Sequence, residues 1–274
     1  MKHFVCPVCG EKLIKYEKSL VCSKKHSFDI SKEGYVNLFI PKKNSSGNHG
    51  DDKLMVRARR DFLNKGYYSP LMQQVCDFVC RYTKSGDVVL DAGCGECWYT
   101  SNIQQALETA EIQADIIGVD ISKNALAAGA KRNKKLQLAV ASVFNIPVEN
   151  ESCQILLNLF APYSKEETLR VLKKDGIMIL VIPLENHLWG LKKAVYPKPY
   201  KNEVKSWELD GFTMLEKQEI RSIIHLPCSE DIKNLFAMTP YYYKTGADDQ
   251  KRLESLTELD TETEFAVIAY RKNI

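Results

Sequence analysis

From residue 87 to residue 183 short apolar runs alternate with segments of helical periodicity, and this alternation restricts the fold more than any other feature. The runs at 87–92, 114–120, 136–141, 153–160 and 176–183 read as strands. Those at 99–108, 122–132 and 164–172 read as helices, with Ser122 capping the second and the Lys174-Asp175-Gly176 turn closing the third. Strands separated by helices form βαβ units, so the sheet is expected to be parallel with right-handed crossovers. Upstream, 53–63 reads as an amphipathic helix carrying Arg57, Arg59 and Arg60. A second helix spans 69–82, with Ser69 as cap and Pro70 in its first turn. Downstream, 212–220 and 264–271 read as closing strands around a helix near 230–237.

The first forty residues have a different texture, dense in cysteine, lysine and turn residues. Cys6-x2-Cys9 and Cys22-x3-His26 form two short ligand pairs, which a hairpin can close into a tetrahedron around Zn²⁺. Four protein ligands leave no open coordination position, so such a zinc is structural. The segment reads as an independent module whose folding depends on the metal. Residues 41–52, rich in Gly, Ser and charge, read as a linker. Cys76, Cys80 and Cys153 fall at apolar positions and read as buried thiols, and Cys94-x2-Cys97 lies inside a glycine loop rather than a redox motif.

That loop, Asp91-Ala92-Gly93-Cys94-Gly95-Glu96, joins the first parallel strand to its helix. Gly93 and Gly95 let backbone lie against a ligand. Trp98 stands where a dinucleotide fingerprint requires a third glycine, and Asp91 is a poor neighbour for phosphate but suits an ammonium group. S-adenosylmethionine carries an ammonium and a sulfonium and no phosphate. Asp120, at the end of the second strand, is placed to accept hydrogen bonds from ribose hydroxyls. Ser142 to Pro147 occupies the adenine position, and the loop from Asn158 to Tyr163 offers Phe160 and Tyr163 either to flank a base or to pack beneath it.

Composition excludes little. The 274 residues can bury one α/β core with a small module, and no run reaches the ~18 apolar residues of a membrane span. Without a secretory h-region, a cytoplasmic location is expected. Nine cysteines, an odd total, favour metal ligation over a disulfide framework, and a net charge of +3 permits a nucleic-acid partner without identifying one. Arg57, Arg59 and Arg60 are candidates either for RNA phosphates or for a solvated helix face.

With both elements in place the chain closely resembles the bacterial 23S ribosomal RNA guanine-N1-methyltransferases and their macrolide-resistance relatives. The resemblance rests on CPVCG with the second Cys/His pair, HSFDISKEGYVNL, MVRARRDFLNKGYYSPL, VLDAGCGECWYT, GVDISK and LFAMTPYYYK, and spans nearly the whole chain. It implies a class I, Rossmann-like α/β methyltransferase with a seven-stranded sheet and an N-terminal zinc module (1–40) that recognises RNA, the enzyme proper occupying 53–274. It implies methyl transfer from S-adenosylmethionine to N1 of a guanine in 23S ribosomal RNA. It also implies zinc on Cys6, Cys9, Cys22 and His26, cofactor contacts from Tyr68, Gly95, Glu96 and His187 beside Asp91, Gly93 and Asp120, and possible homodimers. No general base is implied. Where the family has a third loop glycine this chain has Cys97, so the backbone there must avoid positive φ or tolerate it. Two other readings are a class I methyltransferase acting on a small molecule and a non-catalytic RNA- or protein-binding adapter. The intact Asp91, Gly93, Gly95 and Asp120 set weighs against the adapter.

Overall fold

The computed structural model describes residues 1–41, 50–204 and 206–273. The N-terminal ribbon comprises β1 (Ile14–Tyr16), β2 (Ser19–Val21) and β3 (Ser27–Asp29), an antiparallel sheet, followed by β4 (Tyr35–Asn37). Then come α1 (Lys53–Asn64) and α2 (Ser69–Tyr82). The alternating region follows as β5 (Val88–Ala92), α3 (Trp98–Thr109), β6 (Asp115–Asp120), α4 (Lys123–Arg132), β7 (Gln137–Val140), β8 (Cys153–Leu159), α5 (Lys165–Val171) and β9 (Leu172–Pro183). The chain closes with α6 (Trp189–Val195), β10 (Phe212–Leu226), α7 (Ser229–Ala237), α8 (Tyr241–Lys244), α9 (Ala247–Glu254) and β11 (Leu259–Lys272).

The main sheet runs β10-β11-β9-β8-β5-β6-β7-β4. The strands from β9 to β4 are parallel, and β11 and β10 are antiparallel. This is the doubly wound class I methyltransferase arrangement, with eight strands rather than the expected seven. The extra strand is β4, which leaves the ribbon and pairs parallel with β7, Tyr35 opposite Leu138 and Asn37 opposite Val140.

The first forty residues are therefore not the independent module that their composition suggests. Phe4 bridges Val148, the Val5 amide donates to the Pro147 carbonyl at 2.9 Å, and His3 meets Asp115 at 3.1 Å. Phe4, Leu13, Leu20, Val36 and Leu38 share one core with Val88, Leu90, Ile117, Ile146 and Val148. A ribbon too small to bury its own apolar residues borrows a face of the large sheet.

Side chains cap three of the helices, α1, α4 and α5. Ser122 caps α4 as expected, and Ser164, expected as the first helical residue, caps α5; their hydroxyls accept from the amides of Ala125 and Glu167. α2 departs from expectation. Tyr68 holds the cap position without a side-chain bond, and Ser69 and Pro70 are its first helical residues. Residues 173–175 belong to β9 rather than to a free turn, although Asp175 keeps a positive φ of 58°. Of the expected linker, 42–49 lie outside the described residues, as do Lys42 and Lys43. Residues 50–52 are packed. Asp52 caps α1, and the Asp51 carbonyl accepts from the Ser122 hydroxyl at 2.6 Å. Among the described residues no helix is long and apolar enough to cross a membrane.

Candidate active site and metal centre

The metal centre depends on two turns held by backbone. In the first, the Gly10 amide donates to the Cys6 carbonyl at 2.8 Å, with Gly10 at φ +74°. In the second, the Lys25 amide donates to the Cys22 carbonyl at 2.9 Å. Cys6, Cys9, Cys22 and His26 converge, their ligand atoms all within 4.8 Å of one another. Cys9 Sγ lies 3.7 Å from Cys22 Sγ, and His26 Nδ1 lies 3.4 Å from both Cys6 Sγ and Cys22 Sγ. A tetrahedron with ~2.3 Å Zn–S and ~2.0 Å Zn–N bonds has edges of about 3.5–3.8 Å. The donor set thus fits zinc, with Nδ1 as the histidine ligand atom and no position left for a reacting molecule.

The second centre lies at the carboxyl edge of β5 and β6. Asp91 is buried, 1% exposed, on the last turn of β5. Its Oδ2 accepts from the Thr100 hydroxyl at 2.6 Å, while its Oδ1 has no partner. Burial pushes its carboxyl up to about 7, partly opposed by the Thr100 bond and reinforced by nearby Asp120. Asp120 accepts from the Gly95 amide at 2.9 Å and from the Ser122 amide at 2.7 Å, so it fixes the glycine loop from across the sheet edge. Burial raises its carboxyl as well, against those two amide bonds.

Gly93 and Gly95 have φ of +94° and +55°. At Gly93 a Cβ would meet the Ala161 Cβ at 2.4 Å, so the loop after β8 rests directly on this glycine. Cys97 takes φ +61°, the left-handed conformation that its resemblance-implied glycine would adopt freely. It fits because Gly129 on α4 leaves room, where a Cβ would stand 2.5 Å from Cys97 Sγ. Gly118 likewise makes room for Cys94. Both thiols are buried in the packing between the loop, β6 and α4.

Glu96 is 2% exposed, and its Oε2 takes two bonds from Arg132, at 2.6 Å from Nη2 and 2.9 Å from Nε. Its Oε1 is buried without a partner. Arg59 also reaches the loop. It pairs with Asp51, donates to the Met238 carbonyl at 3.2 Å, and its Nη1 would be 3.8 Å from a Cβ on Gly95. Arg57 and Arg60 instead pair with Asp61 on their own helix. Arg59 is thus turned to the loop, whereas Arg57 and Arg60 stay on the exposed face of α1.

Tyr68 and His187 meet elsewhere on the same edge, around Phe265 of β11. Ring centroids lie 5.0 Å apart for Tyr68–Phe265, 4.4 Å for His187–Phe265 and 5.5 Å for Phe160–Phe265. Phe160 in turn lies 6.3 Å from Tyr99, which directly follows the glycine loop and helix start and joins the two clusters. The Tyr99 hydroxyl is buried without a partner. His187 Nδ1 accepts from the Glu264 amide at 3.3 Å, which places the proton of the neutral ring on Nε2. Burial, with the charge of Lys192 behind it, holds the imidazolium down to about 3. At the adenine position Ser142 Oγ accepts from the Phe144 amide at 3.2 Å, leaving the Phe144 ring 60% exposed. Of Phe160 and Tyr163, only Phe160 presents a face outward, 46% exposed at φ +64°. Sequence reasoning did not select Tyr99, Thr100 or Phe265. The first two could have been found by their position straight after the loop; Phe265 has no local signal.

Residues 4–46 match the family described as "RlmA, N-terminal", a zinc ribbon, and residues 83–225 match the family described as "Methyltransferase domain". A Streptomyces fradiae protein named 23S rRNA (guanine(748)-N(1))-methyltransferase is 30% identical over 198 residues, covering 71% of this chain and 68% of that protein. A Bacillus subtilis (strain 168) protein provisionally named 23S rRNA (guanine-N(1)-)-methyltransferase is 28% identical over 276 residues, covering 97% and 95%. Among solved structures, a provisionally described type II methyltransferase from Anaeromyxobacter dehalogenans superposes with a TM-score of 0.50 at 17% identity, covering 72% of this chain and 95% of that one, a likeness of fold.

Proposed function

This chain belongs to the 23S rRNA (guanine-N1-)-methyltransferase family, and from that premise we propose how its carboxyl edge transfers a methyl group to N1 of a ribosomal RNA guanine. It is an S-adenosylmethionine-dependent methyltransferase with a structural zinc ribbon. The observation that carries the assignment of roles is the pair of buried, unpartnered carboxylate oxygens, Asp91 Oδ1 and Glu96 Oε1, flanking Gly93 and Gly95. A site lined by three acidic groups and two close-approach glycines rejects phosphate, and fits a ligand with a cationic amino-acid end and a ribose diol.

In this reading Asp91 holds the ammonium, Asp120 accepts from ribose hydroxyls on its remaining lone pairs, and Glu96 closes the loop against Arg132. Gly93 and Gly95 supply the bare backbone between them, and Tyr68 and His187 wall the far side. When bound, the cofactor supplies an electrophilic methyl on a sulfonium. The protein's contribution is alignment and exclusion of water. Tyr68, Tyr99, His187 and Phe265 form a largely aromatic wall that would solvate a sulfonium less well than water, so loss of its charge would be favoured there. Phe160 stacks on the target guanine, which must leave any duplex to reach it. His187 is neutral with its proton on Nε2, so it orients an acceptor atom by donation. It is not the base that removes the N1 proton, and that proton passes to water.

The test is incubation of zinc-loaded protein with labelled S-adenosylmethionine and unmodified 23S ribosomal RNA, followed by reverse transcription. N1-methylguanine blocks Watson–Crick pairing, so a stop at one guanine is expected. Label transfer only to a small molecule would favour the alternative enzyme. Phe160→Ala should lower kcat/KM for RNA by roughly 10- to 100-fold, the equivalent of ~1–3 kcal/mol of stacking, while leaving cofactor affinity intact. Equal losses for RNA and cofactor would remove Phe160 from the acceptor side.

A further inference from the structure

We propose that Lys192 and Asn202 are positioning residues that set His187 against the cofactor, an inference that rests on the cofactor reading above. Lys192 lies on α6, one turn beyond His187, and its side chain is 1% exposed. A buried ammonium ordinarily has a carboxylate partner. The partners of this one among the described residues are neutral. Nζ donates to Asn202 Oδ1 at 2.6 Å and to the Tyr200 carbonyl at 3.1 Å, and lies 4.6 Å from the Tyr200 ring centroid and 5.2 Å from that of Tyr241.

What this cage does is visible on the other side of Asn202. Its Nδ2 donates to the Leu184 carbonyl at 2.8 Å and to the His187 carbonyl at 3.4 Å, and its backbone amide donates to the Glu185 carbonyl at 2.9 Å. One amide side chain therefore straps the turn that carries His187, while Lys192, joined by the Tyr241 hydroxyl at 3.4 Å, donates to the amide oxygen and so fixes which way the amide points. The opposite face of the turn is held by Glu264, whose carboxylate accepts from the Asn186 amide at 3.1 Å and whose own amide donates to His187 Nδ1. Leu188, next in the chain, is in the left-handed region at φ +58°, a conformation maintained only when its surroundings over-determine it. The ammonium adds to the burial that disfavours a second positive charge on His187, and the Glu264 amide on Nδ1 makes the neutral ring an Nε2–H donor.

The chain of contacts is Lys192 to Asn202 to the 184–187 turn to His187. None of the first three touches the reacting groups, so their influence must pass through the histidine. Removing Lys192 also removes a desolvated charge, so its loss need not weaken the fold even though it loosens the site.

The experiment is a double-mutant cycle on the full zinc-loaded chain, with S-adenosylmethionine affinity read by calorimetry and folding by urea melts. Lys192→Met and His187→Ala are each expected to weaken cofactor binding roughly 5- to 10-fold. The double variant should lose no more than His187→Ala alone. Lys192→Met should retain at least the wild-type urea midpoint, and nitrogen NMR of His187 should change from a single Nε2–H tautomer to a mixture. Asn202→Leu provides the same readings where Lys192→Met does not accumulate as folded protein. Multiplicative losses in the cycle, an unchanged affinity in Lys192→Met, or an unaltered His187 tautomer would each overturn the positioning role. Absence of cofactor binding in the wild-type protein would instead overturn the cofactor reading beneath it.

Discussion

Cofactor binding should release a proton below neutral pH, and Asp91 should be its source. This carboxyl is raised by burial to about 7 while its Oδ1 has no hydrogen-bond partner. Its folded value lies above the unfolded one, so the folded chain holds the extra proton between roughly pH 4 and pH 7 and loses that stabilisation as pH rises through the window. With ~1.36 kcal/mol per unit over about three units, the ionised, unliganded site is destabilised by an order of ~4 kcal/mol. An ammonium placed against Oδ1 favours the carboxylate and relieves this. If only the carboxylate form binds, the dissociation constant scales as one plus the ratio of proton concentration to the acid constant. Going from about pH 7 to about pH 5.5 then weakens binding roughly 15-fold. The window stays below the ~7.7–8.0 at which a free α-amino group itself titrates. Calorimetry in buffers of different ionisation enthalpy should register proton release at the acid end, and Asp91→Asn should bind weakly with no slope. Asp120→Asn should bind more weakly and keep a slope, displaced to lower pH because the Asp120 charge no longer raises Asp91. A wild-type affinity that is flat across the window, with no proton released, would refute the assignment of the ammonium to Asp91.

Three further outcomes follow from the packing. Chelation of zinc should unfold more than the ribbon, because Phe4, Leu20 and Val36 share a core with β5, β6 and β7. If only about 4 kcal/mol of the ~10–16 kcal/mol of a structural zinc is realised, the Tm of the whole chain should fall by roughly 10 °C in one calorimetric transition; a small early transition ahead of an unshifted main one would contradict this. Gly129→Ala should cost about 1–3 kcal/mol in urea melts through its collision with Cys97 Sγ, and Cys97→Gly in that background should recover most of it. Arg132→Met should cost about 3–5 kcal/mol, because it leaves the 2% exposed Glu96 carboxylate unpaired. Burial already raises the Glu96 carboxyl, so that deficit should shrink as the pH of the melt is lowered and Glu96 takes up a proton; a deficit independent of pH would show that the loss is packing alone.

The alternating region was legible because local chemistry and tertiary demand agree there. Ser122 and Ser164 cap where they stand, strand runs bury on both faces, and Asp91 and Asp120 fall at strand ends that the topology brings together. The zinc ligands were legible because a tetrahedral site fixes spacing. What escaped depends on partners far along the chain. The three residues of β4, Tyr35-Val36-Asn37, are too short a run to stand out despite two strand-forming side chains, and pair because β7 offers an open edge a hundred residues later. Glu96 reads as a loop carboxylate until Arg132 of α4 reaches it. Lys192 stands beside Lys193 in the sequence with nothing to set it apart, yet Asn202 and two tyrosine rings enclose it.

The most instructive failures lie where local preference is overruled. Cys97, Phe160 and Leu188 are non-glycine residues at φ of 61°, 64° and 58°. Each sits in the loop that leaves the carboxyl end of a neighbouring strand, β5, β8 and β9 respectively. A left-handed conformation costs an L-residue roughly 1–2 kcal/mol, so three along one edge represent strain that the rest of the fold sustains. The compensations are specific: Gly129 opens space for Cys97, Phe265 and Tyr99 brace Phe160, and the Lys192–Asn202 strap holds the turn before Leu188. The amino ends of β6, β8 and β9 carry left-handed Glu111, Glu151 and Asp175 as well, so positive φ alone does not mark a site. What sets the carboxyl edge apart is that its supports, the Phe265 ring against His187 and Asn202 on the His187 carbonyl, reach the residues that the cofactor reading uses.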